Sequence, residues 1–154
     1  MSLEIGIKAP DFTLPTDGNG SVTLSALKGK KVVLYFYPKD DTSGCTAEAC
    51  AFRDILPRFK KMDATVIGIS RDSVASHDKF KKKYELPFML AADTEGKVTE
   101  KYGVWVQKSM YGRKYMGIER ATFLIDETGK IEQIWHKVKV PGHADDVLKA
   151  VSGK

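Results

Sequence analysis

A chain of 154 residues has the length of one domain, expected to span residues 1–154, and can bury most of its apolar surface without disulfide staples. Its hydrophobic content of 42% and charged content of 29% are ordinary for a globular protein; no stretch approaches the roughly 18–20 apolar residues of a membrane span, and the opening Met1-Ser2-Leu3-Glu4-Ile5-Gly6 lacks the features of a secretory signal, so a cytoplasmic location is expected. The net charge of +5 raises nucleic-acid binding, but the basic clusters at 28–31, 58–61 and 79–83 are scattered and read as solvated surface, so neither nucleic acid nor membrane is an expected partner.

In chain order, Phe12-Thr13-Leu14 and Val22-Thr23-Leu24 flank the turn-rich Asp17-Gly18-Asn19-Gly20 and predict a hairpin. The apolar run 31–37 predicts a buried strand. Residues 43–62 place Phe52, Ile55, Leu56, Phe59 and Met62 at helical spacing, with Pro57 inside as a kink site. A second buried strand follows at 65–70, then a helix capped by Asp72 or Ser73 and running to about Tyr84. A short strand is expected at 88–90 and a short helix at 96–102. Residues 107–117 show little apolar periodicity and read as a mobile loop, with Trp105, Tyr111, Tyr115 and Trp135 as packing aromatics. A second hairpin joins 121–125 to 131–135 through Asp126-Glu127-Thr128-Gly129-Lys130, and a helix over 144–151 closes the chain. This order implies an α/β fold with a mixed central sheet, helices on both faces and an N-terminal β-hairpin, thioredoxin-like in outline.

The only two cysteines, Cys45 and Cys50, sit where the strand 31–37 gives way to a helix. Free N–H groups at a helix start favour a thiolate. Helical phase puts Cys45 on the sheet-facing side with Ala49, Phe52, Leu56 and Phe59, and Cys50 roughly 140° away on the outer flank. The same geometry separates their Cα atoms by about 8–9 Å, beyond the roughly 4.4–6.8 Å of a disulfide. A bond between them therefore requires the first helical turn to unwind. Thr42 brings a hydroxyl to the same mouth, and Pro38 stiffens and shields the entry. Arg120, at the edge of strand 121–125, is the candidate cation, and Glu48, one turn past Cys45, could orient it.

Other chemistries fit less well. A general dithiol oxidoreductase calls for Cys-x-x-Cys, whereas four residues separate these thiols. A cysteine hydrolase needs a histidine base, and nothing around His77, His136 or His143 forms such a motif. His77 shares a face with Val74 and Phe80 and reads as a packed, hydrogen-bonded histidine; His143 reads as solvent-facing. Two thiols alone leave a zinc tetrahedron incomplete. Asp40-Asp41 reads as an ordinary acidic helix entry.

Pro38-x-x-x-Thr42-x-x-Cys45 resembles the active-site pattern of peroxiredoxins. The longer run from Tyr35 to Asp54, with Gly44-Cys45-Thr46-x-Glu48-x-Cys50 at its centre, is similar to the bacterioferritin comigratory protein (PrxQ) subgroup, as are Ala9-Pro10-Asp11-Phe12 and the segment from Arg120 to Asp126. The resemblance implies a thiol peroxidase acting on hydrogen peroxide and organic hydroperoxides. It assigns Cys45 as the peroxidatic cysteine, with Thr42 and the Cys45 N–H holding the peroxide oxygens and Arg120 stabilising charge. It assigns Cys50 as the resolving cysteine of an intrachain disulfide, recycled by a thioredoxin-type dithiol, in a monomer with no metal or organic cofactor. Members of the subgroup usually carry proline where this chain has Ser43, and serine gives up the preset helical φ at that position.

Overall fold

The computed structural model describes residues 3–153. Its strands are β1 (Thr13–Thr16), β2 (Gly20–Thr23), β3 (Lys31–Phe36), β4 (Ala64–Ser70), β5 (Met89–Ala92), β6 (Trp105–Met110), β7 (Arg113–Ile118), β8 (Ala121–Ile125) and β9 (Ile131–Trp135). The helices are α1 (Ser43–Lys61), α2 (Val74–Tyr84), α3 (Lys97–Lys101) and α4 (His143–Val151). Seven strands form one mixed sheet in the order β2-β1-β5-β4-β3-β8-β9, in which β3, β4 and β5 are parallel and the flanking pairs antiparallel. This is the thioredoxin-like arrangement expected from the order of elements, with β1 and β2 as its N-terminal hairpin.

Strand β3 is apolar on both sides because both of its faces are covered. Val32, Leu34 and Phe36 point into one core, with Phe12, Val98, Tyr102 and Phe123. Val33, Tyr35 and Tyr37 point into the other, with Ala49, Phe52, Phe59, Phe80 and Val147. Helices α1, α2 and α4 therefore lie on one face, and α3 and the N-terminal segment on the other. Pro57 sits on the exposed side of α1, which continues through it to Lys61. The missing N–H thus falls where water meets the helix rather than in the core.

The segment 107–117 is not a mobile loop. β6 and β7 pair from Trp105↔Ile118 to Met110↔Arg113. The two residues between them, Tyr111 and Gly112, both have positive φ (52° and 78°), the turn that matches the twist of paired strands. Apolar alternation is absent because the ribbon stands away from the main sheet: Met110, Tyr111, Tyr115 and Met116 are exposed, Tyr111 by 99%. Tyr111 and Tyr115 are thus surface residues rather than packing aromatics. Only the base is anchored, by buried Ile118 and by Trp105 beneath the Arg71 guanidinium at 3.3 Å.

Candidate active site

The carboxyl ends of β3, β4 and β5 open at one edge of the sheet, the usual place for a site in an open α/β fold. Tyr37 extends β3 by donating its N–H to the Ile69 carbonyl at 3.1 Å, and the chain then turns through 38–42 into α1. The antiparallel register Phe36↔Ala121 brings the residue before β8, Arg120, to this same edge. Its carbonyl accepts from the Val138 N–H at 2.9 Å, which fixes the backbone from which the side chain reaches inward.

Cys45 is the third residue of α1 and is 1% exposed. It packs in the core with Ala49, Phe52 and Tyr37, on the inward side its helical phase predicts. Arg120 Nη2 lies 3.4 Å from Cys45 Sγ, and Arg120 Nη1 donates to Glu48 Oε1 at 2.8 Å. One guanidinium thus spans the thiol and a carboxylate that is itself 1% exposed. Burial pushes the Glu48 carboxyl up to about 7, against the pull of Arg120. Burial also works against the charge of Arg120, but Glu48 and Cys45 outweigh it and hold the guanidinium protonated.

Gly44 has a steric reason to be glycine: a Cβ there would stand 3.0 Å from Arg120 Nη2. Thr42 is the residue preceding the helix, with extended backbone, and its side chain caps no N–H of α1. Its Oγ1 donates instead to the Lys39 carbonyl at 2.9 Å, which leaves the oxygen lone pairs free to accept. Pro38 is half-buried beside this loop, and Ser43 is exposed at the first turn. Cys50 is half-buried, and both thiols are free. Because α1 is unbroken from Ser43 onward, a direct bond between them is excluded in this conformation.

Four residues near the site carry more than sequence reasoning assigned them. Asp40 does not serve as an acidic helix entry; its side chain turns inward to His77 of α2 at 2.7 Å. Asp41 adopts positive φ (58°) and is tied to Lys83 and Tyr84, each at 2.8 Å. Lys108 of β6 reaches toward this edge, and burial, then the Arg120 charge, hold its ammonium below the ordinary lysine range. His143 is not solvent-facing. It is buried, accepts from or donates to Thr122 Oγ1 at 2.8 Å, and meets Phe52 and Trp135 edge-on. Burial lowers its pKa to about 4, so it is neutral near pH 7. Its phase with Val147 and Val151 on the inner side of α4 is the signal that marks it as core.

Among the described residues, no group of three or more His, Cys, Asp or Glu side chains is arranged to hold a metal, and no helix is long and apolar enough to cross a membrane.

Residues 5–134 match the AhpC/TSA family model. The chain is 52% identical over 151 residues to the peroxiredoxin Bcp of Bacillus subtilis, covering 98% of this chain and 96% of that protein. A solved structure of a cysteine-to-serine mutant of Xylella fastidiosa PrxQ superposes with a TM-score of 0.94 at 40% identity, covering 99% of this chain and 98% of that one. The bacterioferritin comigratory protein of Xanthomonas campestris, solved to address its alkyl peroxide reduction activity, superposes with a TM-score of 0.90 at 44% identity, covering 98% and 96%.

Proposed function

Because this chain belongs to the AhpC/TSA family and within it to the Bcp/PrxQ peroxiredoxins, and is therefore a thiol peroxidase, we propose that Cys45 is its peroxidatic cysteine, Cys50 its resolving cysteine and alkyl hydroperoxides its substrates. The observation that carries this reading is a buried thiol in the first turn of a helix, 3.4 Å from an arginine that a buried carboxylate orients.

The Cys45 thiolate attacks the terminal peroxide oxygen. An S–O bond forms, the O–O bond breaks, and the departing alkoxide takes a proton to leave as alcohol, with Cys45 left as sulfenic acid. Arg120 stabilises the thiolate and the charge that develops on the leaving oxygen. Thr42 Oγ1, its own hydrogen given to Lys39, accepts the O–H of the peroxide and so orients it. Pro38 limits water at the mouth. Glu48 holds Arg120 in place, and Gly44 leaves room for it. The substrate class is supported by the activity addressed for the Xanthomonas campestris relative.

Resolution follows when the first turn of α1 unwinds. The Cys50 sulfur displaces the sulfenic oxygen, the S–S bond forms, and water leaves. A thioredoxin-type dithiol then returns both thiols, and the enzyme works as a monomer because the whole cycle lies within one helix. Two variants test the scheme. Cys45→Ser is expected to abolish peroxide consumption. Cys50→Ser is expected to complete one turnover and stop, with a sulfenic acid at Cys45 that dimedone captures. Full activity in Cys45→Ser overturns the assignment, as does unimpaired cycling of Cys50→Ser with a thioredoxin-type reductant.

A further inference from the structure

The loop that carries Pro38 and Thr42 is fastened at its middle by a buried charge pair. Asp40 accepts from Tyr37 Oη at 2.5 Å, from Ser76 Oγ at 2.8 Å and from His77 Nδ1 at 2.7 Å. The other ring nitrogen of His77, Nε2, lies 3.0 Å from the Ala91 carbonyl oxygen of β5. With Asp40 ionised, both ring nitrogens face accepting oxygens, so each carries a hydrogen. His77, at 0% exposure, is therefore an imidazolium, and Asp40 its counter-ion. Burial opposes that charge, yet the Asp40 hydrogen bond and field keep the His77 pKa above its ordinary value.

The same residue is held through its backbone. Asp40 N–H donates to Asp72 Oδ2 at 2.8 Å, and Ser70 Oγ steadies that carboxylate at 2.7 Å. The left-handed Asp41 is tied to the far end of α2 by Lys83 and Tyr84. By contrast, the start of α1 lacks capping interactions of its own. Thr42 makes no side-chain cap, the first turn has no acidic residue, and Ser43 and Ala47 are exposed. Besides the burial of Cys45 and its contact with Arg120, this turn is supported by the loop before it, and that loop is fastened to α2.

We propose that the Asp40–His77 pair is a positioning latch that sets how often the first turn of α1 opens, and through this the rate at which Cys50 reaches oxidised Cys45. The second half rests on the assignment of Cys50 as the resolving thiol. Neither residue touches the peroxide; both act through the loop. Removing one partner leaves a buried charge without compensation, which favours the state in which the loop is open.

The test uses Asp40→Asn and His77→Gln in the full-length protein. Hydrogen exchange of the reduced protein, read by mass spectrometry, is compared for amides 43–50 and for β8. The expected result is exchange at 43–50 faster by roughly tenfold or more with β8 little changed. After a peroxide pulse, dimedone capture and quenched mass analysis separate the two chemical steps. Disulfide formation is expected to accelerate relative to sulfenic acid formation. Unchanged exchange at 43–50, or an increase shared equally by β8, overturns the latch. Faster local exchange with no Cys45–Cys50 disulfide in any protein, wild type included, upholds the latch and overturns the resolving role of Cys50. Should Asp40→Asn not fold, Ser76→Ala removes one donor to Asp40 and leaves the pair; a smaller acceleration of the same amides is expected, and its absence overturns the proposal.

Discussion

Glu48 holds Arg120 at 2.8 Å while the same guanidinium lies 3.4 Å from the Cys45 sulfur. The Glu48 carboxyl group and the Cys45 sulfur therefore share one guanidinium. With the Glu48 carboxyl pushed up to about 7 by burial, that sharing changes across neutral pH. Below this value Glu48 is neutral and the Arg120 charge is left to the sulfur; above it the Glu48 carboxylate competes for that charge.

Glu48→Gln keeps an acceptor for Nη1 and removes the titration. Stopped-flow rates of Cys45 oxidation are expected to inflect near pH 7 in the wild type and not in the variant. Stability follows with a definite sign. The folded chain keeps the Glu48 proton between about 4.5 and about 7, where the unfolded chain has lost it, so this group makes stability fall as pH rises through that window. The variant lacks that slope, as denaturant titrations at pH 4.5, 6 and 7.5 can measure.

Gly44→Ala places a methyl 3.0 Å from Arg120 Nη2 and pushes the guanidinium from the sulfur. A drop of about tenfold in the rate of Cys45 oxidation is expected, equal to ~1.4 kcal/mol, with helix content unchanged by circular dichroism. A rate equal to wild type would show that the arginine tolerates displacement.

His143 supplies the opposite pH signature to Glu48. Its pKa is lowered to about 4 by burial, so from about pH 6.5 down to about 4 the unfolded state binds a proton that the folded state refuses. Stability is expected to fall over that window, by no more than roughly 3–4 kcal/mol at about 1.36 kcal/mol per pH unit. His143→Gln, able to keep the bond to Thr122, is expected to melt with a weaker acid dependence.

Tyr35 carries a hydroxyl that is buried without a hydrogen-bond partner among the described residues, while its ring stacks on Phe52 at 4.8 Å. Tyr35→Phe keeps the stack and removes the unsatisfied group. A gain of about 1 kcal/mol is expected, seen as a melting temperature higher by roughly 2–4 °C.

The central sheet was legible because residues 32–36 of β3 and 66–69 of β4 are unbroken apolar runs, and the inward face of α1 because Cys45, Ala49, Phe52, Leu56 and Phe59 repeat at helical spacing. Arg120 could be paired with Cys45 on chemical grounds, since a sheltered thiolate needs a cation and strand 121–125 offers one at its edge. The Asp40–His77 pair was not legible. Its members lie 37 positions apart, and an aspartate just before a helix has an ordinary local explanation that hides a long-range one. The β6–β7 ribbon escaped for another reason: alternation marks a strand only where one side is buried, and this one is bathed on both.

Among the described residues β6 and β7 pair only with each other, so the outer margins of the ribbon present unpaired backbone groups of the kind to which a second chain can add a strand. Met110, Tyr111, Tyr115 and Met116 make that margin adhesive as well. Arg113 and Lys114 are exposed on β7, and a second copy brought against that edge sets its own two cations beside them. Like-charge repulsion between ribbons thus opposes strand addition between copies along this arm.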